Sequence, residues 1–379
     1  MYFEERYLPQ IDDSFQIDRQ WRRNCLIDAA NIGDDCTIIF SDQKEIGMEF
    51  IKSMITTMWQ NTGGVLFNAG HFLSIAPLLI AFLLAFVVIA VRIRKRTGDL
   101  PALRRILSML FPRKVFFHGS AKIDYWVFLI NQGFLFWMTA TVIFSPALVS
   151  ELFLGLANWV GFEGGNVETG LAGRILYSVT LVLLWDFGAS WAHYLKHRVP
   201  ILWELHKVHH SAEVMTPVTA MRRHPIEAVF GSMVSALVTG TGVAVWVFAF
   251  GQSPMPFTIF GTLAGIWVWR MAGYNLRHTH VWISYGDFWN RIFISPAQHQ
   301  VHHSNSPEHF DTNFGHIFSF WDALFGTLYL PKSDERVEFG IDEGDMDQFR
   351  SLSGVYITPL VKIWRYLRKK EDRSQIATE

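Results

Sequence analysis

The sequence predicts an all-α protein: a polytopic bundle of transmembrane helices with a cytoplasmic helical cap that carries the histidine clusters. Three observations predict it. Half of the 379 residues are hydrophobic, aromatics reach 15% and charged residues only 18%, below the level usual in soluble domains. Several uncharged runs reach the ~20 residues needed to cross a hydrocarbon core. Ten of the fifteen histidines fall in two short windows, His193 to His210 and His278 to His303.

Residues 1–70 read as an extramembrane segment, polar with scattered apolar residues and without a signal-peptide pattern. Cys25 and Cys36 are too few for a disulfide framework or a cysteine zinc site and read as two free thiols. Gly47 to Trp59 fits an amphipathic helix, lying on the bilayer or packed on the next domain. Residues 71–170 hold the first transmembrane helices. Phe72 to Val91 carries no charge, and Arg92, Arg94, Lys95 and Arg96 follow at once, then Arg104, Arg105, Arg113 and Lys114. The positive-inside rule makes that loop cytoplasmic. Tyr125 to Ser150 is a second uncharged run, with Pro146 late in it, and Glu151 to Gly173 lacks Lys and Arg as an outside loop does.

Residues 171–331 form the histidine-rich core. A third span, from about Arg174 to Ala192, delivers the first histidine window to the cytoplasmic face. No charge occurs between Glu227 and Arg270, and Gly251 to Pro256 interrupts that run with turn residues. A helical hairpin results, Ala228 to Phe250 out and Phe257 to Tyr274 back, so that five spans bring the second window to the same side. In the tail, residues 332–379, Lys362, Arg365, Arg368, Lys369 and Lys370 alternate with Ile363, Trp364, Tyr366 and Leu367. This is the pattern of a basic amphipathic helix on anionic lipid, or of a solvated tail. No basic stripe with interleaved aromatics points to nucleic acid.

The windows spell HxxxH (His193, His197), HxxHH (His206, His209, His210), HxH (His278, His280) and HxxHH again (His299, His302, His303). Two copies of HxxHH would arise by chance in ~3 of 10,000 such chains, so the pattern is functional. On a helix, residues three and four apart share a face, and the imidazoles converge. Neutral imidazole suits Zn, Cu, Fe and Ni, and so many nitrogens exceed one ion's needs. Pro200 ends one helix and opens the next, which lets the first two motifs face each other.

Asp186 shares a helical face with Ser190, His193 and His197. It is either an acceptor for the far N–H of a ligating histidine or an ordinary hydrogen-bond partner, with Arg270 a candidate to pair with it. His224, in the run Arg222, Arg223, His224, Pro225, Glu227, reads as a group behind the ligands, a headgroup contact or a further ligand. His71, His118, His309 and His316 have no clustered partner and read as ordinary residues.

These residues resemble the fatty acid hydroxylase and sterol desaturase superfamily of integral-membrane, non-haem di-iron oxygenases. The resemblance runs from Asp186 to Leu330. It includes LWELHKVHHS (Leu202 to Ser211), Arg223, His224, Pro225 and Glu227, SPAQHQVHHS (Ser295 to Ser304), Asn313 to Gly315, and Trp321, Asp322, Phe325, Gly326 and Thr327. Tyr194 stands where the family often has Arg. The resemblance implies two iron ions on His193, His197, His206, His209, His210, His299, His302 and His303, with His278 or His280 completing the set. His278 fits the family position better. It further implies O2 as co-substrate and catalysis on these same histidines. Two electrons come from an external donor, cytochrome b5-like or ferredoxin-like, because the chain shows no flavin, nicotinamide or cytochrome segment of its own.

The expected substrate is a membrane lipid, a fatty acyl, sterol or related molecule. It would reach the site near Trp267, Trp269, Tyr274, Trp282, Tyr285 and Trp289, aromatics that an interfacial belt also shows. Hydroxylation is expected over desaturation because it needs less control of the second step. The active site would face the cytoplasm, across the inner membrane of a bacterium or the endoplasmic reticulum of a eukaryote. Two rival readings are weaker. A zinc hydrolase of the HExxH type needs Glu where Tyr194 stands. A metal transporter or binding protein would line mid-membrane positions with its ligands instead of gathering them at one face.

Overall fold

The computed structural model describes residues 63–133, 145–161, 164–165, 167–332, 335 and 337–376, with isolated positions at 52, 56 and 59. The chain divides into Met1–Thr57 and Met58–Glu379, and every element named here lies in the second unit. The two cysteines, nearly all of the expected surface helix at Gly47 to Trp59, and residues 134–144 of the expected second span lie outside the described residues.

Helices dominate. In order they are α1 (Ile75–Thr97), α2 (Leu103–Leu110), α3 (Gly119–Gly133), α4 (Pro146–Trp159), α5 (Gly170–Arg198), α6 (Pro200–His210) and α7 (Pro225–Phe250). A two-residue hairpin, β1 (Thr258–Ile259) and β2 (Thr262–Leu263), precedes α8 (Ala264–Met271), α9 (Pro296–His302), α10 (Phe320–Phe325) and α11 (Leu352–Ile376). Proline opens α4, α6, α7 and α9. Its fixed φ suits the first helical position, where no partner awaits its missing N–H.

Among the described residues three helices are long and apolar enough to cross a membrane: α1 with 23 residues, α5 with 29 and α7 with 26. The expected span from Phe257 to Tyr274 is not one of them. Phe260 (φ 48°) and Gly261 (φ 73°) are left-handed and reverse the chain between β1 and β2. Only eight residues then remain for α8. The basic tail helix is present as α11, with Arg368 stacked over Trp364 at 4.0 Å.

α7 is the central strut, packed along α5 on one side and α4 on the other. Small residues allow this. A Cβ on Gly188 would lie 3.0 Å from Ser235 Cα, and one on Gly240 would lie 2.5 Å from the Pro146 carbonyl and 2.6 Å from Val149 Cβ. Between lipid-exposed helices, close contact of this kind supplies much of the association energy. Gly240→Leu should therefore force α4 off α7 at a cost of about 1–3 kcal/mol. Thermal unfolding in detergent reads it as a lowered midpoint, and an unchanged midpoint would contradict the packing.

Where α6 leaves the membrane-length helices, Arg222 anchors it. Its guanidinium donates to the Val208 carbonyl (2.8 Å), Asp124 Oδ1 (2.9 Å), Ser211 Oγ (2.9 Å) and the Phe349 carbonyl (3.2 Å). One buried cation thus ties α3, α6 and the segment before α11 into a single platform.

Candidate metal centre

Four elements carry the clustered histidines: the last two turns of α5, all of α6, the non-helical stretch at His278, and α9 with its C-cap His303. The rings converge into two groups. His193, His197, His206, His210 and His302 form the first, and His209, His278, His299 and His303 the second; within each group the donor atoms lie within 4.8 Å of one another. The two HxxHH motifs divide in opposite senses. In α6 the outer pair, His206 and His210, joins the first group and His209 the second. In α9 the outer pair, His299 and His303, joins the second group and His302 the first. The groups touch, for the His210 and His303 rings stack with centroids 4.5 Å apart.

The nitrogens fit metal ions. In the first group the Nε2 atoms of His197, His206, His210 and His302 are buried without any hydrogen-bond partner. In the second the Nε2 atoms face each other: His278 to His209 at 3.3 Å, His299 to His278 at 2.9 Å, and His303 to His299 at 3.2 Å. Buried polar atoms left in this way are costly, and a cation at the focus of each group would satisfy them together. Burial pushes His206, His209, His210, His278, His299 and His303 well below the ordinary imidazole value, and His302 to about 4. They are neutral, the form that ligates.

The outer nitrogens fix the tautomers. His193 Nδ1 meets the Phe314 carbonyl at 2.9 Å, His302 Nδ1 the Thr312 carbonyl at 2.7 Å, and His206 Nδ1 the Glu227 carboxylate at 2.9 Å. Each partner only accepts, so Nδ1 carries the proton and Nε2 turns its lone pair inward. His299 differs: Arg277 Nη2 donates to its Nδ1 at 2.9 Å, which in the neutral ring leaves the proton on the inward Nε2, so an ion bound there would have to displace that proton. The loop that supplies two of the carbonyls is shaped for the task. Asp311 (φ 58°) and Asn313 (φ 56°) are left-handed, a conformation these residue types tolerate. Asp322 then accepts from the amides of Phe314 (2.6 Å) and Gly315 (2.8 Å).

Four residues expected at or beside the site lie elsewhere. His280 belongs to neither group: its Nε2 meets the Met109 carbonyl at 2.7 Å, because the chain turns and bends from Arg277 to His280, so these residues two apart do not share a side as they would in a strand. Among the described residues Asp186 has no hydrogen bond to a histidine. Its carboxylate accepts from the Ile317 amide (2.6 Å), the Phe318 amide (3.1 Å) and Trp321 Nε1 (2.8 Å), and so holds the strip after Phe314. Arg270 does not pair with it and donates instead to the Gly70 carbonyl. His224 caps α7, accepting from the Ile226 amide at 3.3 Å, while its Nε2 lies 3.2 Å from the Tyr356 carbonyl. Tyr194, the departure from the family pattern, stacks on Trp191 at 5.3 Å.

Glu227 was not expected behind a ligand. It joins His206 to Lys196, whose Nζ donates to the same oxygen at 2.8 Å. The signal was a lone carboxylate at the start of a long uncharged helix, where it needs a buried partner. A cavity of about 410 Å³ opens beside the two groups, between α5 and α7, and His193, His206, His209, His278 and His299 form one wall.

An extended histidine set in two adjoining groups that could hold metal ions thus lies at the end of helices long and apolar enough to cross a membrane. Residues 178–327 match the model of the fatty acid hydroxylase family. An alkylglycerol monooxygenase of Xenopus tropicalis is 31% identical over 160 residues, 41% of this chain and 31% of the relative. An ornithine lipid hydroxylase of Rhizobium tropici is 28% identical over 163 residues, 41% of this chain and 43% of the relative. A Delta(7)-sterol 5(6)-desaturase of Aspergillus fumigatus is 29% identical over 169 residues, 42% of this chain and 50% of the relative. The matched part thus spans between about a third and a half of these relatives' length. No solved structure matches the chain.

Proposed function

We propose that this chain is a membrane-bound, non-haem di-iron oxygenase that hydroxylates a C–H bond of a lipid. The observation that carries the reading is the pair of buried histidine groups, with four inward Nε2 atoms of the first left without a partner and those of the second turned on one another. His193, His197, His206, His210 and His302 would hold one iron, and His209, His278, His299 and His303 the other. Bound there, the irons supply the O2 chemistry needed to break an unactivated C–H bond, which acid–base side chains cannot do. The stoichiometry is R–H + O2 + two electrons + two protons giving R–OH + water, so an external donor, cytochrome b5-like or ferredoxin-like, must deliver the electrons.

The chain's own residues position and shield. The Phe314 and Thr312 carbonyls and Glu227 keep three imidazoles in the ligating tautomer. Leu205, Val208 and Val301 on α6 and α9 are each at most 2% exposed, and Val208 packs with Val127, Phe349 and Val355. A lipid substrate is supported by the relatives and by a second, almost wholly apolar cavity of about 920 Å³ that reaches Asn275, Leu276 and Thr279, beside His278. A cytoplasmic site is supported by the basic end of α1. Arg92 donates to the Trp282 carbonyl there, and Ile89 and Ile93 pack on Leu276 and Val281, next to the histidine groups.

The test is incubation of iron-loaded protein with membrane lipids, a reductant system and oxygen-18 gas, followed by mass spectrometry. One labelled oxygen in the lipid product is the expected result. Loss of two hydrogens without label would mean desaturation, the reading that the likeness to the sterol desaturase favours. No lipid product under any donor would contradict both.

A further inference from the structure

We infer that the cavity beside the histidine groups contains a recognition site, built on Arg223, for an anionic lipid head, a carboxylate or a phosphate. The inference deepens the oxygenase reading and rests on it.

Arg222 and Arg223 are neighbours with opposite fates. Arg222 is 1% exposed and fully committed to Asp124, Ser211 and backbone carbonyls. Arg223 has a pinned backbone, its amide on the Met221 carbonyl (2.9 Å) and its own carbonyl accepting from Asn131 (2.8 Å). Its side chain lines the cavity, half-buried, and among the described residues meets no carboxylate. Among the described residues the one hydrogen bond of the guanidinium goes to Met221 Sδ at 3.8 Å.

The other charges lining the cavity have polar partners, although the Nε of Arg277 is buried without one. Lys196 and His206 share Glu227, and Arg277 is held by the His316 carbonyl (2.7 Å) and His299 Nδ1 (2.9 Å). Three cations, Lys196, Arg223 and Arg277, therefore face one carboxylate, and among the described residues Arg223 is the one whose guanidinium donates to no oxygen or nitrogen. A half-buried guanidinium without a counter-charge is costly. Its planar fork matches carboxylate and phosphate oxygens in a bidentate pair.

A second group points the same way. The His316 ring lines the cavity, touches Trp185 (centroids 5.1 Å) and Tyr274 (5.6 Å), and has no hydrogen bond among the described residues. It offers a neutral donor or acceptor to the same head. Arg223 lies two residues before α7 begins, at the end of a membrane-length helix where a lipid head resides. From there Ala228, Gly231, Ser235 and Ala236 line the cavity along one face of α7, leaving room for a chain between α7 and α5.

The test is calorimetric binding of three amphiphiles with one acyl chain, oleate, oleoyl lysophosphatidate and monoolein, to the purified full chain in detergent. At least one anionic amphiphile should bind about tenfold or more tighter than monoolein, as a charge-assisted bidentate contact provides. Preference for one anion alone identifies the head as carboxylate or phosphate. Arg223→Gln should bring the anions to monoolein's affinity and leave monoolein unchanged, and Arg223→Lys should keep part of the preference. No preference in the wild type, or a preference that survives Arg223→Gln, would overturn the inference. So would a fall in monoolein binding or iron content in Arg223→Gln, which would make Arg223 structural. Iron is measured on the same samples. Its absence from the wild type would sink the oxygenase reading while the binding series still decides the site.

Discussion

His209→Ala and His210→Ala should each abolish turnover, and each should empty a different metal site. The two residues are adjacent in sequence but belong to different groups, because a step of one residue on α6 turns the side chain to another face. Loss of a group behind a ligand already costs about 10–100-fold in affinity or activity, so loss of a ligand should cost more than about a hundredfold. The pairing rule sharpens the expectation. His210→Ala combined with His302→Ala removes two donors from one group and should leave the other ion in place. His210→Ala combined with His303→Ala damages both groups and should leave neither. Equal metal content in the two double variants would contradict the division into groups.

Glu227→Ala should be the most damaging change outside the histidines. Glu227 is 1% exposed and receives both Lys196 and His206 on one oxygen. Removing it strands a buried ammonium, which costs about 3–5 kcal/mol when one member of a buried pair is lost. It also frees the outer nitrogen of His206, with a further ~10–100-fold loss of metal affinity. Two measurements separate these effects. The thermal midpoint should fall in metal-free protein, where only the ion pair counts. Glu227→Ala with Lys196→Met should restore the midpoint and leave metal affinity low. If the double variant regained full metal binding, Glu227 would serve stability alone.

Much of this was legible before any coordinates. Motif spacing identified the histidines now found in the two groups, uncharged runs located α1 and α7, and an apolar stretch interrupted by Asp186 located α5, because these signals are local. What spacing could not supply was direction. His278 and His280 look equivalent in HxH, yet in a non-helical stretch they face opposite ways, and only His278 meets the others. Asp186 shares a helical face with His193, but the strip after Phe314 crosses that face and takes its carboxylate with two amides and an indole. That strip lies some 130 residues on in sequence, and no local pattern announces it.

The division of each HxxHH between two groups was likewise hidden. It depends on how α6 and α9 cross, which is a tertiary property. The hairpin at Thr258 to Leu263 was misread for a simpler reason. Its residues are as apolar as those of a span, and the reversal rests on two left-handed residues, Phe260 and Gly261. Asn313, Phe314, Gly315 and Asp322 stood out only by resemblance. The structure supplies their physical sense: they shape and brace the loop whose carbonyls aim His193 and His302.

The most direct test of the paired centre is elemental analysis of the detergent-purified chain, expressed with iron supplied, beside His209→Ala and His302→Ala, one variant from each group. Close to two irons per chain in the wild type and close to one in each variant is the predicted result. No metal in the wild type, or a single zinc that survives both substitutions, would contradict a di-iron site.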